Sequence, residues 1–92
     1  SVELGGVEFV ATHGTGSRRG YESRVATTVQ QAAETDSPVG VSGHTHEVLD
    51  ETVDGVRLLN PGSATGAAPA SRRTMLTVSV VGGALEVAVH EI

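Results

Sequence analysis

The sequence predicts a mixed α/β (α+β) fold, mostly strands with one clear helix. Three observations predict it. Val dominates the apolar residues: fifteen of 92 residues are Val and ten are Ala, against one Phe, one Tyr and no Trp. That composition suits pleated, half-buried surfaces better than a core built on large aromatic anchors. Only one stretch carries apolar residues at helical spacing. Two-residue turn signals, Gly-Gly or Asp-Gly, separate apolar runs at three places. The length allows one domain, residues 1–92, with a modest core.

Taken in order, Leu4-Gly5-Gly6-Val7 reads as a strand, a tight turn and a second strand over Val7 to Thr12. The near-continuous apolar character of that second strand suggests burial on both faces, as in a parallel or central strand. A Gly-rich polar loop follows, His13 to Gly20. Tyr21, Val25, Val29 and Ala32 or Ala33 then recur on one helical face, and Asp36-Ser37-Pro38 is expected to end that helix. Pro38 to Val41 is a short apolar strand. Val48 to Val53 and Val56 to Leu59 form a hairpin about Asp54-Gly55. Asn60-Pro61-Gly62-Ser63 reads as a tight loop, and Ala64 to Ser71 as an irregular surface loop. Thr74 to Val81 alternates, with Leu76, Val78 and Val80 on one face. After Gly82-Gly83, Ala84 to Ile92 pairs back with Leu85, Val87 and Val89 inward and Glu86 and His90 outward.

Composition excludes several classes. There is no Cys, so disulfide frameworks and Cys-type zinc sites are ruled out, and any metal must be held by His, Asp, Glu, Asn or backbone. Eleven acidic residues against six Arg and no Lys give a net charge of −5, which argues against general nucleic-acid binding. No apolar run reaches the length of a membrane span and no secretory leader is read at the start, so no membrane association and a cytoplasmic setting are expected.

Three of the four histidines fall in loops just after apolar strands: His13 after Val7–Thr12, and His44 and His46 after Val39–Val41. Ligands in open α/β sheets bind beyond the carboxyl ends of strands. Imidazole is the commonest metal ligand, and a His-x-His pair can aim two rings at one region. Gly43, just before the pair, would allow close approach of backbone to a metal or phosphate. His90 sits mid-strand on the outward face and reads as solvated. Asn60 to Ser63 reads either as a plain turn or as a loop that shapes the rim of a site. The pairs Arg18-Arg19 and Arg72-Arg73 read either as phosphate contacts or as solvated loop charges.

Thr12-His13-Gly14, then Gly43-His44-Thr45-His46, then Asn60-Pro61-Gly62-Ser63 with Arg72 beyond, together resemble the calcineurin-like metallophosphoesterase superfamily. The closer resemblance is to its small prokaryotic phosphodiesterase branch, which includes the retromer subunit fold. It covers nearly the whole chain. It implies part of a four-layer α/β/β/α sandwich and a hydrolase that cleaves a phosphodiester or phosphomonoester with a metal-activated water. On this resemblance His13 and His44 share one divalent ion and His46 holds a second, Mn²⁺ first, with Ni²⁺, Zn²⁺, Mg²⁺ or Fe as alternatives. Gly43, Asn60, Gly62, Ser63 and Arg72 would be substrate or loop residues, and the substrate a phosphoester small molecule or nucleotide.

The superfamily's Asp-x-His, its metal-bridging Asp and its Gly-Asn motif have no counterpart here, and Thr15 stands where a further His is frequent. The chain is therefore expected to correspond to the C-terminal half of such a domain, with the N-terminal half as its partner and self-association left open. Hard ions such as Mn²⁺ and Mg²⁺ prefer oxygen donors, so three imidazoles alone suit one borderline ion such as Zn²⁺ or Ni²⁺. The alternative is a non-catalytic protein-binding module on the same fold.

Overall fold

The described part of the chain runs as β1 (Val2–Leu4), β2 (Val7–Thr12), α1 (Tyr21–Ala32), β3 (Val39–Ser42), β4 (Val48–Val53), β5 (Val56–Pro61), β6 (Thr74–Val81) and β7 (Ala84–Glu91). The structure, a computed structural model, describes residues 1–68, 70 and 72–92. Of the loop expected over 64–71, Pro69 and Ser71 lie outside the described residues. Each of the three turn signals closes a hairpin with positive φ at both central residues: 60° and 84° at Gly5-Gly6, 52° and 78° at Asp54-Gly55, 58° and 80° at Gly82-Gly83. That is the sign pattern of the type I′ turn, whose twist matches that of the flanking strands.

Five strands form one sheet in the order β1-β2-β3-β5-β4. β2, β3 and β5 are mutually parallel and central, while β1 and β4 are antiparallel edges. The helix α1 covers one face. Its Tyr21, Val25, Ala26 and Val29 pack on Val10, Val56 and Leu58, all buried. The β6–β7 hairpin covers part of the other face, where Leu76, Val80, Leu85 and Val87 meet Val7, Phe9, Val39 and Leu59. The architecture is thus mixed α/β with one helix and mostly strands, layered helix, sheet, hairpin among the described residues.

The boundaries of α1 and β5 differ most from the sequence expectation, and those of β3 and β7 by a single residue. The helix stops at Ala32, before Asp36-Ser37-Pro38, and Ala33 is already extended. The cause is Glu8 of β2, buried on the helix side. Its carboxylate accepts the backbone N–H of Glu34 (2.8 Å) and of Thr35 (2.9 Å) and the Thr35 hydroxyl (2.7 Å). These donors leave the helix to meet a carboxylate, and charge-assisted bonds are the stronger kind. The Glu34 backbone bond is the largest of the influences holding the Glu8 carboxyl at about 2, with the Thr35 hydroxyl next. The second difference is at Asn60 and Pro61, which are the last residues of β5 and not part of a loop. They pair with Leu49 and Val48 of the edge strand β4. A strand end tolerates the missing N–H of Pro61.

Candidate metal centre

The site lies where the carboxyl ends of β2 and β3 meet. These strands are parallel and in register from Phe9↔Val39 to Thr12↔Ser42, so the residues that follow them emerge side by side. The first contact is backbone: Gly43 N–H donates to His13 O at 3.3 Å. The two side chains then converge. His44 Nδ1 lies 3.2 Å from His13 Nε2, with the rings edge to face at 5.0 Å between centroids.

The ring protons can be assigned from their partners. His44 Nε2 is 2.9 Å from the carbonyl oxygen of Gly16, which can only accept, so His44 carries its proton on Nε2 and a lone pair on Nδ1. His46 Nδ1 lies 2.8 Å from Ala68 O and 3.3 Å from Ala67 O, so it too is the protonated nitrogen and the lone pair is on Nε2. Histidines that bind metals commonly donate their other ring N–H to a backbone carbonyl in this way, which fixes tautomer and orientation. Two imidazole nitrogens bound to one ion at roughly 2.0–2.1 Å stand about 2.9–3.4 Å apart for right-angled to tetrahedral geometry. The His13–His44 separation falls within that bite. The spacing is compatible with one shared ion, which would require His13 to carry its proton on Nδ1.

Among the described residues, no group of three or more His, Cys, Asp or Glu side chains is gathered closely enough to hold an ion. The structure brings His13 and His44 together and leaves His46 outside that pair. The donor set is all nitrogen, which suits a borderline ion.

The backbone that presents the histidines is unusual. His44 has φ 73° and His46 φ 61°, the left-handed region in which a non-Gly residue costs on the order of 1–3 kcal/mol. His44 is the centre of a three-residue γ-turn, closed by Thr45 N–H donating to Gly43 O at 2.9 Å; the positive-φ form of that turn is rare. Gly43 is not in the left-handed range, and a Cβ there would meet nothing within 4 Å among the described residues. The demand falls on the histidines instead.

A buried network holds this turn. Asn60, fully buried at the end of β5, donates from Nδ2 to Gly43 O (3.2 Å) and Thr45 Oγ1 (3.2 Å), and its Oδ1 accepts the N–H of Gly62 (3.0 Å). Tyr21, at the start of α1, has its hydroxyl 2.5 Å from Gly43 O and 2.8 Å from Ser42 Oγ. A carbonyl offers no proton, so the single phenolic proton goes to Gly43 and Ser42 donates to Tyr21. No buried side-chain polar atom among the described residues lacks a partner. Gly14, at φ 77°, lets the chain pass over the Tyr21 ring, which a Cβ would strike at 2.8 Å.

The rest of the Asn-Pro-Gly-Ser segment serves His46. Gly62, at φ 81°, has room only for hydrogen, since a Cβ would collide with Thr74 Oγ1, which itself donates to Pro61 O at 2.9 Å. Ser63 is buried, and its Oγ accepts Ala67 N–H at 3.0 Å. It thereby anchors the turn whose carbonyls receive His46.

Arg72 has Glu91 as its ionic partner at 3.6 Å, both exposed. Arg18 bonds Glu22 at 2.7 Å and reaches Glu47 at 3.5 Å. Together with His44, Thr45 and Glu47 it lines an open cleft of about 450 Å³ beside the histidine pair. His90 is exposed and bonds Thr77 Oγ1 at 2.8 Å, well away from the other three on the β6–β7 hairpin. Sequence reasoning missed Tyr21 as a residue that holds the histidine turn. The signal available was that it is the single Tyr of the chain.

The chain belongs to the calcineurin-like phosphoesterase superfamily, whose domain matches residues 1–83. No curated protein matches the chain. Among solved structures it is similar to an archaeal phosphodiesterase (27% identity, TM-score 0.64, covering 97% of this chain and 48% of that one). It is also similar to protein TM1076 of Thermotoga maritima (27%, TM-score 0.60, 96% and 50%). A mutant Vps29 from Entamoeba histolytica shares the fold (22%, TM-score 0.66, 99% and 58%). The chain spans about half the length of these structures.

Proposed function

We propose that this chain supplies the histidine ligands of a phosphodiesterase-type phosphoester hydrolase and works with a second segment that brings carboxylate ligands. The observation that carries the reading is the convergence of His13 Nε2 and His44 Nδ1 to 3.2 Å, with the other nitrogen of His44 engaged by backbone. In this reading His13 and His44 hold one divalent ion and His46 a second, Mn²⁺ being the working metal. Such ions lower the pKa of a bound water and stabilise charge on phosphoryl oxygens. The chain's own residues orient the ligands: Asn60 and Tyr21 fix the turn at His44, and Ser63 fixes the carbonyls that hold His46. The cleft lined by Arg18, His44, Thr45 and Glu47 gives a small phosphoester or nucleotide a place beside the pair. Membership of the superfamily and likeness to an archaeal phosphodiesterase support the reaction class. A cytoplasmic setting belongs to the same reading.

The test is reconstitution. The chain is mixed with a polypeptide carrying the superfamily's Asp-x-His, Gly-Asp and Gly-Asn segments, and hydrolysis of bis-p-nitrophenyl phosphate is followed with Mn²⁺. Metal-dependent turnover that His44→Ala abolishes is the expected result. A folded complex with bound metal and no turnover would favour the non-catalytic reading instead.

A further inference from the structure

We propose that Arg24, on the exposed face of α1, is a positioning residue for His44 that acts through the loop between β2 and α1. The proposal rests on reading His13 and His44 as metal ligands. Residues 13–20 contain no regular structure, and Arg24 gathers three of their carbonyls. Its Nη1 donates to Arg19 O at 2.7 Å, and its Nη2 donates to Ser17 O and reaches Thr15 O at 3.4 Å. One guanidinium thus gathers the carbonyls of residues 15, 17 and 19.

The consequence concerns the residue between them. Arg24 holds the carbonyls of Thr15 and Ser17 on either side of the bend at Gly16, whose φ is 109°, and the Gly16 carbonyl between them meets His44 Nε2 at 2.9 Å. That bond places the ring proton on Nε2 and leaves Nδ1 facing His13. Arg24 therefore selects which nitrogen of His44 can bind an ion, without touching either histidine. The requirement is for the planar fork and not for charge alone, because a single Lys ammonium cannot take both the Nη1 position at Arg19 O and the Nη2 position at Ser17 O.

The sign of the effect separates this role from simple electrostatics. Removing a positive charge near a dication strengthens its binding through Coulomb's law, whereas losing a positioning residue weakens it. The experiment is calorimetric titration of the full chain with Ni²⁺ in four forms: unchanged, Arg24→Ala, Arg24→Lys and Arg19→Ala. Long-range ¹H–¹⁵N spectra of the His44 ring are recorded without metal. Arg24→Ala is expected to bind Ni²⁺ about tenfold more weakly, as is usual when a group supporting a ligating His is lost. Arg24→Lys should recover only part of this, and Arg19→Ala should bind at least as tightly as the parent. In the spectra, Arg24→Ala should show His44 losing its single Nε2–H form.

If Arg24→Ala does not fold, Arg24→Lys carries the same two readouts. Unchanged or tighter Ni²⁺ binding by folded Arg24 variants, with the ring spectrum of the parent, overturns the proposal. If the parent itself binds no Ni²⁺, the metal reading fails, and the ring spectra still decide whether Arg24 sets the His44 tautomer.

Discussion

The two faces of the five-stranded sheet differ in how far they are sealed. On the helix side, Val10, Tyr21, Val25, Ala26, Val29, Val56 and Leu58 are all buried. On the hairpin side the core is smaller, and apolar residues remain open around it: Val2 and Leu4 of β1, and Val78 and Val89 of the hairpin, are 38–57% exposed. The polar groups follow the same division. Glu8, Tyr21 and Asn60 all act on the helix side, and two of them support the turn that presents His44. The turn that presents His44 is thus held from the sealed face, while the other face is only partly covered. Preorganisation of ligands calls for that assignment, because groups held in left-handed conformations need surroundings that over-determine them.

The largest expected contrast is in the cores. Leu58→Ala, under the helix, should destabilise the chain by about 2–5 kcal/mol. Val78→Ala, on the open side, should stay within about 1 kcal/mol, as for most partly exposed sites. Urea unfolding of both variants checks the comparison, and equal losses would show that the two faces are equally packed in solution.

Next comes Asn60→Ala, which takes from the Gly62 N–H its acceptor and removes the side chain that joins β5 to the histidine turn. A loss of about 1–3 kcal/mol is expected for groups left unsatisfied in a buried site. Amide exchange at Thr45 and Gly62 should accelerate more than at Leu58, which separates a local release of the turn from general loosening.

A smaller effect is expected from pH. The Glu8 carboxyl is held at about 2 against an ordinary 4.5, so the folded state binds this proton less readily than the unfolded chain. Its stabilising contribution is complete above about pH 4.5 and is lost as pH falls towards about 2. Glu8→Gln should flatten that part of the pH–stability profile and leave the profile near neutrality parallel to that of the parent. An unchanged slope would show that the Glu34 and Thr35 donors are not held by this carboxylate in solution.

Much of the fold was legible because its signals are local. Asp54-Gly55, Gly5-Gly6 and Gly82-Gly83 dictate their turns from adjacent residues, and the spacing of Tyr21, Val25 and Val29 marks the buried stripe of the helix. The position of His13 and His44 after apolar strands was legible for the same reason, and parallel pairing of β2 with β3 then places them side by side. What could not be read depends on partners far apart in the chain. Glu8 meets Glu34 and Thr35 only after α1 has folded back. Asn60 reads as a turn residue by composition, and only the pairing of β5 with β4 turns it inward to Gly43 and Thr45. The left-handed histidines were equally hidden, since Gly43 beside them is the residue that composition singles out.

The most direct measurement is calorimetric titration of the full 92-residue chain with Ni²⁺, set against His13→Ala, His44→Ala and His90→Ala. The account predicts uptake of one ion by the parent and by His90→Ala, and at least tenfold weaker binding when either His13 or His44 is removed. Binding that survives both substitutions unchanged, or a parent chain that takes up no ion, would contradict it.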